Sequence, residues 1–167
     1  MRTIVAIVGI VSLFSCATTK IYIVRHGDKA SSAPNSDLKN PEGFTRARVL
    51  RDSLSGVGIN GVYSTNVLRT IHTAEPAAVA NSLPVVFYNN ADSLIDALST
   101  QKKKHFLVVG HSNTVPQMLR HIGLDPGFTG NIDDGDFDNL FVVIIKWSGG
   151  SVSKTLVKKT FGAFTAP

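Results

Sequence analysis

Ile21-Tyr22-Ile23-Val24-Arg25-His26-Gly27 is the stretch on which the fold turns. Its first four residues are apolar, favour extended backbone, and do not alternate with polar ones. Such a run suits a strand covered on both faces, as in the parallel sheet of an α/β domain. The run breaks abruptly at a charged pair followed by glycine. Open α/β sheets bind their ligands at the carboxyl ends of strands, where this break falls. An arginine there offers a planar fork matched to phosphate, and the adjacent histidine offers a nitrogen nucleophile. Gly27 lets the backbone come close to a ligand.

Working outward, strands and helices alternate. Ala30 to Asp37 is polar and reads as a loop. Asn40-Pro41-Glu42 starts a helix whose apolar stripe is Phe44, Ala47, Leu50 and Leu54, closed by Gly56 and Gly58. Val62 to Ser64 is a second strand. The helix from Val67 to Asn81 contains Pro76, which predicts a kink or a division. Val85 to Tyr88 is a third strand, Asp92 to Leu98 a helix, His105 to Val109 a fourth strand, and Thr114 to His121 a helix. Leu140 to Trp147 and Ser151 to Phe161 flank Ser148-Gly149-Gly150, a hairpin signal. The expectation is a three-layer α/β/α sandwich with a mostly parallel sheet and a C-terminal antiparallel hairpin.

Two more segments place reactive residues at strand ends. They are Ser64-Thr65-Asn66-Val67-Leu68-Arg69-Thr70 after the second strand, and Val109-Gly110-His111-Ser112-Asn113-Thr114 after the fourth. Together with Arg25-His26-Gly27 and with Thr73-Ala74, these segments resemble the histidine phosphatase superfamily, in its phosphoglycerate mutase-like branch. The resemblance covers roughly residues 20–146. It implies that His26 is the nucleophile that takes the phosphoryl group, and that Arg25, Arg69 and His111 hold its oxygens, with Gly27 beside them. The charges around His26 would keep it neutral. No metal or other cofactor is implied. The implied substrate is a small phosphorylated compound, ester or phosphoramidate, or a phosphohistidine protein.

For the general acid, family members acting on alkyl phosphates carry a carboxylate after the third strand. Asp92 occupies that stretch, and it equally suits a helix N-cap. Asp28 and Glu75 are weaker candidates, and Ser112 and Asn113 suit either capping of the following helix, the safer reading, or contact with phosphate. Gly110-His111-Ser112-Asn113-Thr114 superficially resembles a serine hydrolase elbow, but the second glycine is missing and no histidine lies well downstream. Asp134, Asp136 and Asp138 alternate as in a calcium loop, yet Ile145 stands where the closing glutamate belongs. A catalytically weak phosphate-binding lipoprotein and a phosphomutase are the alternatives, although the short connection between strands three and four disfavours the mutase.

The 167 residues are 43% hydrophobic and 17% charged, enough for one packed domain, with a net charge of +5. The lysines look scattered or C-terminal, and no basic run interleaves with aromatics, so a nucleic-acid partner is not expected. The N-terminus is different in kind. Arg2 precedes an apolar run of 11 residues, Ile4 to Phe14, too short to span a membrane at roughly 20 residues. Leu13-Phe14-Ser15-Cys16 resembles the lipobox of bacterial lipoproteins, and Cys16 is the sole cysteine. The expected organisation is a signal peptide over residues 1–15, a tether over 16–20 and a catalytic domain over 21–163, lipid-anchored in a bacterial cell envelope. Substituting Cys16→Ser should move the protein from the membrane to the soluble fraction of lysed cells, because the acyl chains supply the anchoring.

Overall fold

A computed structural model describes residues 16–165. The expected signal peptide over 1–15 lies outside the described residues. The sheet has six strands: β1 (Ala17–Arg25), β2 (Gly61–Ser64), β3 (Val85–Phe87), β4 (His105–Gly110), β5 (Asn139–Ser148) and β6 (Ser151–Thr160). Their order is β3-β2-β4-β1-β5-β6. The first four run parallel, while β5 is antiparallel to β1 and β6 to β5. Four helices complete the fold: α1 (Glu42–Ser53), α2 (Leu68–Ala80), α3 (Ala91–Ser99) and α4 (Thr114–His121). The expected α/β/α sandwich with an antiparallel C-terminal hairpin is what the chain forms.

β1 explains why the layers close on both sides. Ile21 and Ile23 join the core beneath α3 and α4, with Ile95, Leu98, Val115, Met118 and Leu119. Tyr22 and Val24 join the core beneath α1 and α2, with Leu50, Leu54, Ala74 and Ala77. The unbroken apolar run thus feeds two cores through the alternation of a strand. At the hairpin, Gly149 and Gly150 both take positive φ (57° and 83°), the pattern of a type I′ turn.

Three expectations need correction. Residues 17–20, taken as a tether, are strand: Ala17 to Lys20 pair with Trp147 to Ile144 on β5. Their polar threonines hid this, but Thr19 is buried and its hydroxyl donates to the Gln101 carbonyl. Pro76 lies inside an undivided α2 and forgoes one backbone bond without ending the helix. Phe44 is only half-buried and packs on His72 rather than in the core, while Arg46 takes the buried place and pairs with Asp28 at 2.7 Å.

The sequence reading also missed Gly43. A Cβ there would stand 2.4 Å from the Asp28 carbonyl and 2.9 Å from Leu38 Cβ, so α1 can approach the His26 loop only through a glycine. Gly43→Ala should destabilise the fold by about 1–3 kcal/mol, read as a lower urea midpoint at unchanged slope.

Candidate active site

β1, β2 and β4 end side by side, with Arg25 opposite Gly110 and Ser64 opposite Val109. Each strand hands the chain to a loop at the same edge of the sheet. The edge holds a hollow of about 260 Å³ lined by Arg25, His26, Lys29, Val67, Arg69, His111, Ser112, Asn113 and Asp134. The four residues expected to gather around one anion are all on its wall.

His26 is 3% exposed, and its backbone N–H donates to the Gly110 carbonyl at 3.0 Å. Its Nδ1 lies 2.7 Å from the Gly27 carbonyl. A carbonyl only accepts, so Nδ1 carries the proton and the lone pair is on Nε2. Burial above all, then Arg25, Arg69 and His111, lowers the pKa of His26 to about 3, against the pull of the Gly27 carbonyl. His111 sits edge-on to it, with ring centroids 5.5 Å apart. An Nη of Arg69 lies 3.4 Å from His111 Nδ1, and guanidinium only donates, so the His111 proton is on Nε2, 2.8 Å from Thr65 Oγ1. Burial and the same two arginines lower His111 to about 4. Both imidazoles are therefore neutral at pH 7.

Arg25 is buried and clamped by the segment after α4. One Nη donates to the carbonyls of Asp133 (2.5 Å) and Asp136 (3.0 Å), and its guanidinium lies 4.3 Å over the Phe137 ring. The other Nη stands 3.5 Å from Asp134, a carboxylate that is 92% exposed, so water screens the pair and it adds little stability. Arg69 reaches the Pro34 carbonyl at 2.8 Å, tying α2 to the loop that includes Lys29. The buried Nε atoms of Arg25 and Arg69 have no hydrogen-bond partner among the described residues. Two orphaned cationic donors beside neutral imidazoles describe a place for an anion.

Several sequence-based assignments change. Asp92 does not reach the hollow: it is in the first turn of α3, accepts from Gln117 Nε2 at 3.0 Å and lies 3.7 Å from His121. The N-cap is Asn90, whose side chain accepts from Ser93 N–H. Asp28 is committed to Arg46, and Glu75 is exposed on α2. Gly27 serves packing rather than a ligand. Its N–H donates to Thr73 Oγ1, and a Cβ would crowd the Gly43 carbonyl at 3.1 Å. Ser112 and Asn113 line the hollow, and Asn113 makes no side-chain cap bond to α4. The alternating aspartates diverge: Asp134 faces Arg25, Asp136 accepts from Asn139, and Asp138 from Thr165 N–H. Thr65, Thr73 and Phe137 hold the site from behind. The signal for Thr65 was its place one residue past a strand end.

The sequence model of the histidine phosphatase superfamily (branch 1) matches residues 21–90, the stretch that carries Arg25, His26 and Arg69. Over that stretch, less than half of the chain, the sequence is similar to the histidine phosphatase superfamily. No curated protein sequence matches it. Among solved structures, it is similar to a SixA protein of Agrobacterium tumefaciens described as a phosphohistidine phosphatase (17% identity, TM-score 0.58, 75% of this chain and 91% of that one). It is also similar to a mycobacterial glucosyl-3-phosphoglycerate phosphatase (13%, 0.61, 83% and 97%) and to a phosphoglycerate mutase of Plasmodium falciparum (15%, 0.52, 90% and 94%). At such identities the likeness shows the fold, which is phosphoglycerate mutase-like.

Acid should weaken the fold through its buried imidazole. His26 has a lowered folded-state pKa, so below pH 6.5 the unfolded chain binds more protons than the folded one. Stability then falls as pH drops from 6.5 towards 3. The slope from His26 approaches 1.4 kcal/mol per pH unit, roughly, in the middle of that range. Urea titrations at several pH values should show this slope on top of a like contribution from His111, and His26→Asn should remove the His26 part.

Proposed function

We propose that this protein is a metal-independent phosphohydrolase working through a phosphohistidine on His26. The observation that carries the reading is the neutral, buried His26, its proton held on Nδ1 by Gly27, beside two guanidiniums with unpartnered Nε donors. In the first step, the Nε2 lone pair forms a bond to phosphorus while the bond from phosphorus to the leaving group breaks, and the leaving atom takes up a proton from solvent water. In the second, water bonds to phosphorus, the P–Nε2 bond breaks, inorganic phosphate departs and the water's proton passes to solvent. Arg25 and Arg69 hold the phosphoryl oxygens through both steps, which is where phosphoryl transfer needs most help, and His111 positions Arg69 by accepting from it.

The leaving group narrows the substrate. Among the described residues, Asp134 is the one carboxylate lining the hollow, and it stands almost wholly in water beside Arg25. A proton donor in such a place gives little assistance to an alkoxide. Phosphoramidates, phosphohistidine included, and esters of acidic alcohols leave with less help, and the likeness to the SixA fold accords with that choice. We also place the protein in a bacterial cell envelope, held by acyl chains on Cys16.

His26→Ala should abolish turnover of both para-nitrophenyl phosphate and a phosphohistidine peptide, a loss of at least about a thousandfold. Asp92→Asn should leave both rates within about twofold, because its carboxylate is spent on Gln117 and His121. Full turnover by the His26 variant would end this reading.

A further inference from the structure

We propose that the end of the sheet opposite the hollow is a membrane-facing surface that binds anionic phospholipid headgroups. It deepens, and rests on, the envelope reading above. The lysines that look scattered along the sequence are not scattered in the fold. Lys102, Lys103 and Lys104, all exposed, lead into β4, and the backbone N–H of Lys20 on β1 donates to the Lys104 carbonyl. Lys146, also exposed, lies on β5 opposite Thr18. These five lysines thus flank the first residues of β1, immediately after Cys16. Among the described residues none of them is in an ion pair with a carboxylate.

The stretches that build this end are also free of acidic side chains. Residues 16–27, 97–124 and 139–167 contain no Asp or Glu. The local field is positive and uncompensated, as a basic surface for an anionic partner requires. Trp147 adds the second signature. It pairs with Ala17, one residue from Cys16, is half-buried, and has Lys102 Nζ 5.8 Å from its ring centroid. Val152, the residue paired with Trp147 on β6, is 56% exposed. A tryptophan among lysines, next to an exposed aliphatic side chain, fits the headgroup level of a bilayer better than nucleic acid or a soluble acidic protein.

The absence of a tether gives the surface its purpose. Since strand pairing begins at Ala17, acyl chains on Cys16 would hold this face against the bilayer rather than at arm's length. A single chain anchors only marginally, and basic residues near the surface strengthen the hold. The nine residues of β1 then set the hollow about 30 Å away, opening towards the aqueous phase and its soluble substrates.

The test uses the processed protein purified from envelopes, floated with vesicles of phosphatidylcholine alone or with about 30% phosphatidylglycerol. The wild type should partition about tenfold or more in favour of the anionic vesicles at low salt, with the preference collapsing at ~0.5 M salt. Lys102→Gln, Lys103→Gln and Lys104→Gln together should remove most of the preference, with circular dichroism and turnover of para-nitrophenyl phosphate unchanged. Equal partitioning of the wild type onto both vesicles, or a preference the triple variant keeps, overturns the proposal. The mass of the N-terminal peptide reports the anchor separately. An unacylated Cys16 refutes the envelope anchor alone, and the same two vesicles then decide the surface: a salt-sensitive anionic preference supports it, and binding to neither overturns it.

Discussion

Bringing two guanidiniums and two imidazoles to one strand edge is an electrostatic problem, and the rest of the site is arranged around its solution. Four protonated groups in a hollow of about 260 Å³ would repel one another at low local dielectric. The protein lowers the charge by burying both imidazoles until they are neutral at pH 7. It then occupies one Nη of Arg25 with two backbone carbonyls and one Nη of Arg69 with another. Both Nε donors are left over. On the proposed function, a phosphoryl dianion completes the balance, because the leftover cationic donors favour an anionic ligand.

That balance depends on loops held by small residues. Gly27 and Gly43 let α1 press against the nucleophile's loop, and Thr73 joins that loop to α2 by accepting from Gly27 N–H and donating to the Arg69 carbonyl. His26, the proposed nucleophile, and Arg69, proposed to bind phosphate, are thereby fixed relative to each other through a single hydroxyl. The segment after α4 adds a third support. Its Ile132 N–H donates to the Ser112 carbonyl, and its Phe137 ring carries Arg25. Substrate entry has to reorganise the exposed carboxylate of Asp134, the one part of this support that water already screens.

Much of this was legible before any coordinates. The unbroken Ile21–Val24 run gave the buried strand, and three reactive segments at strand ends gave the edge where they meet. What misled the reading was local. Thr18 and Thr19 look like linker residues, but their β-branched side chains fit a strand, and both pair with β5. Pro76 looks like a helix breaker, yet the packing of Ala74, Ala77 and Ala78 against the sheet outweighs one missing bond. Asp92 lies in the right stretch of chain for an acid, and its side chain turns to α4 instead.

The sequence by itself determined the two-sided core, the order of strands and helices, and the three reactive segments at strand ends, because hydrophobic periodicity and strand ends are properties of neighbouring residues; which four side chains share the hollow was implied by the family resemblance. Tertiary structure alone decided what those side chains become there. Which nitrogen of each imidazole holds the proton, which donors are left without partners, and which carboxylates are spent elsewhere all depend on groups distant in the chain. So does the gathering of Lys20, Lys102, Lys103, Lys104 and Lys146 at the foot of β1, which strand pairing creates and no stretch of sequence displays. Burial and charge at a point are sums over everything folded around it, and no local pattern encodes them.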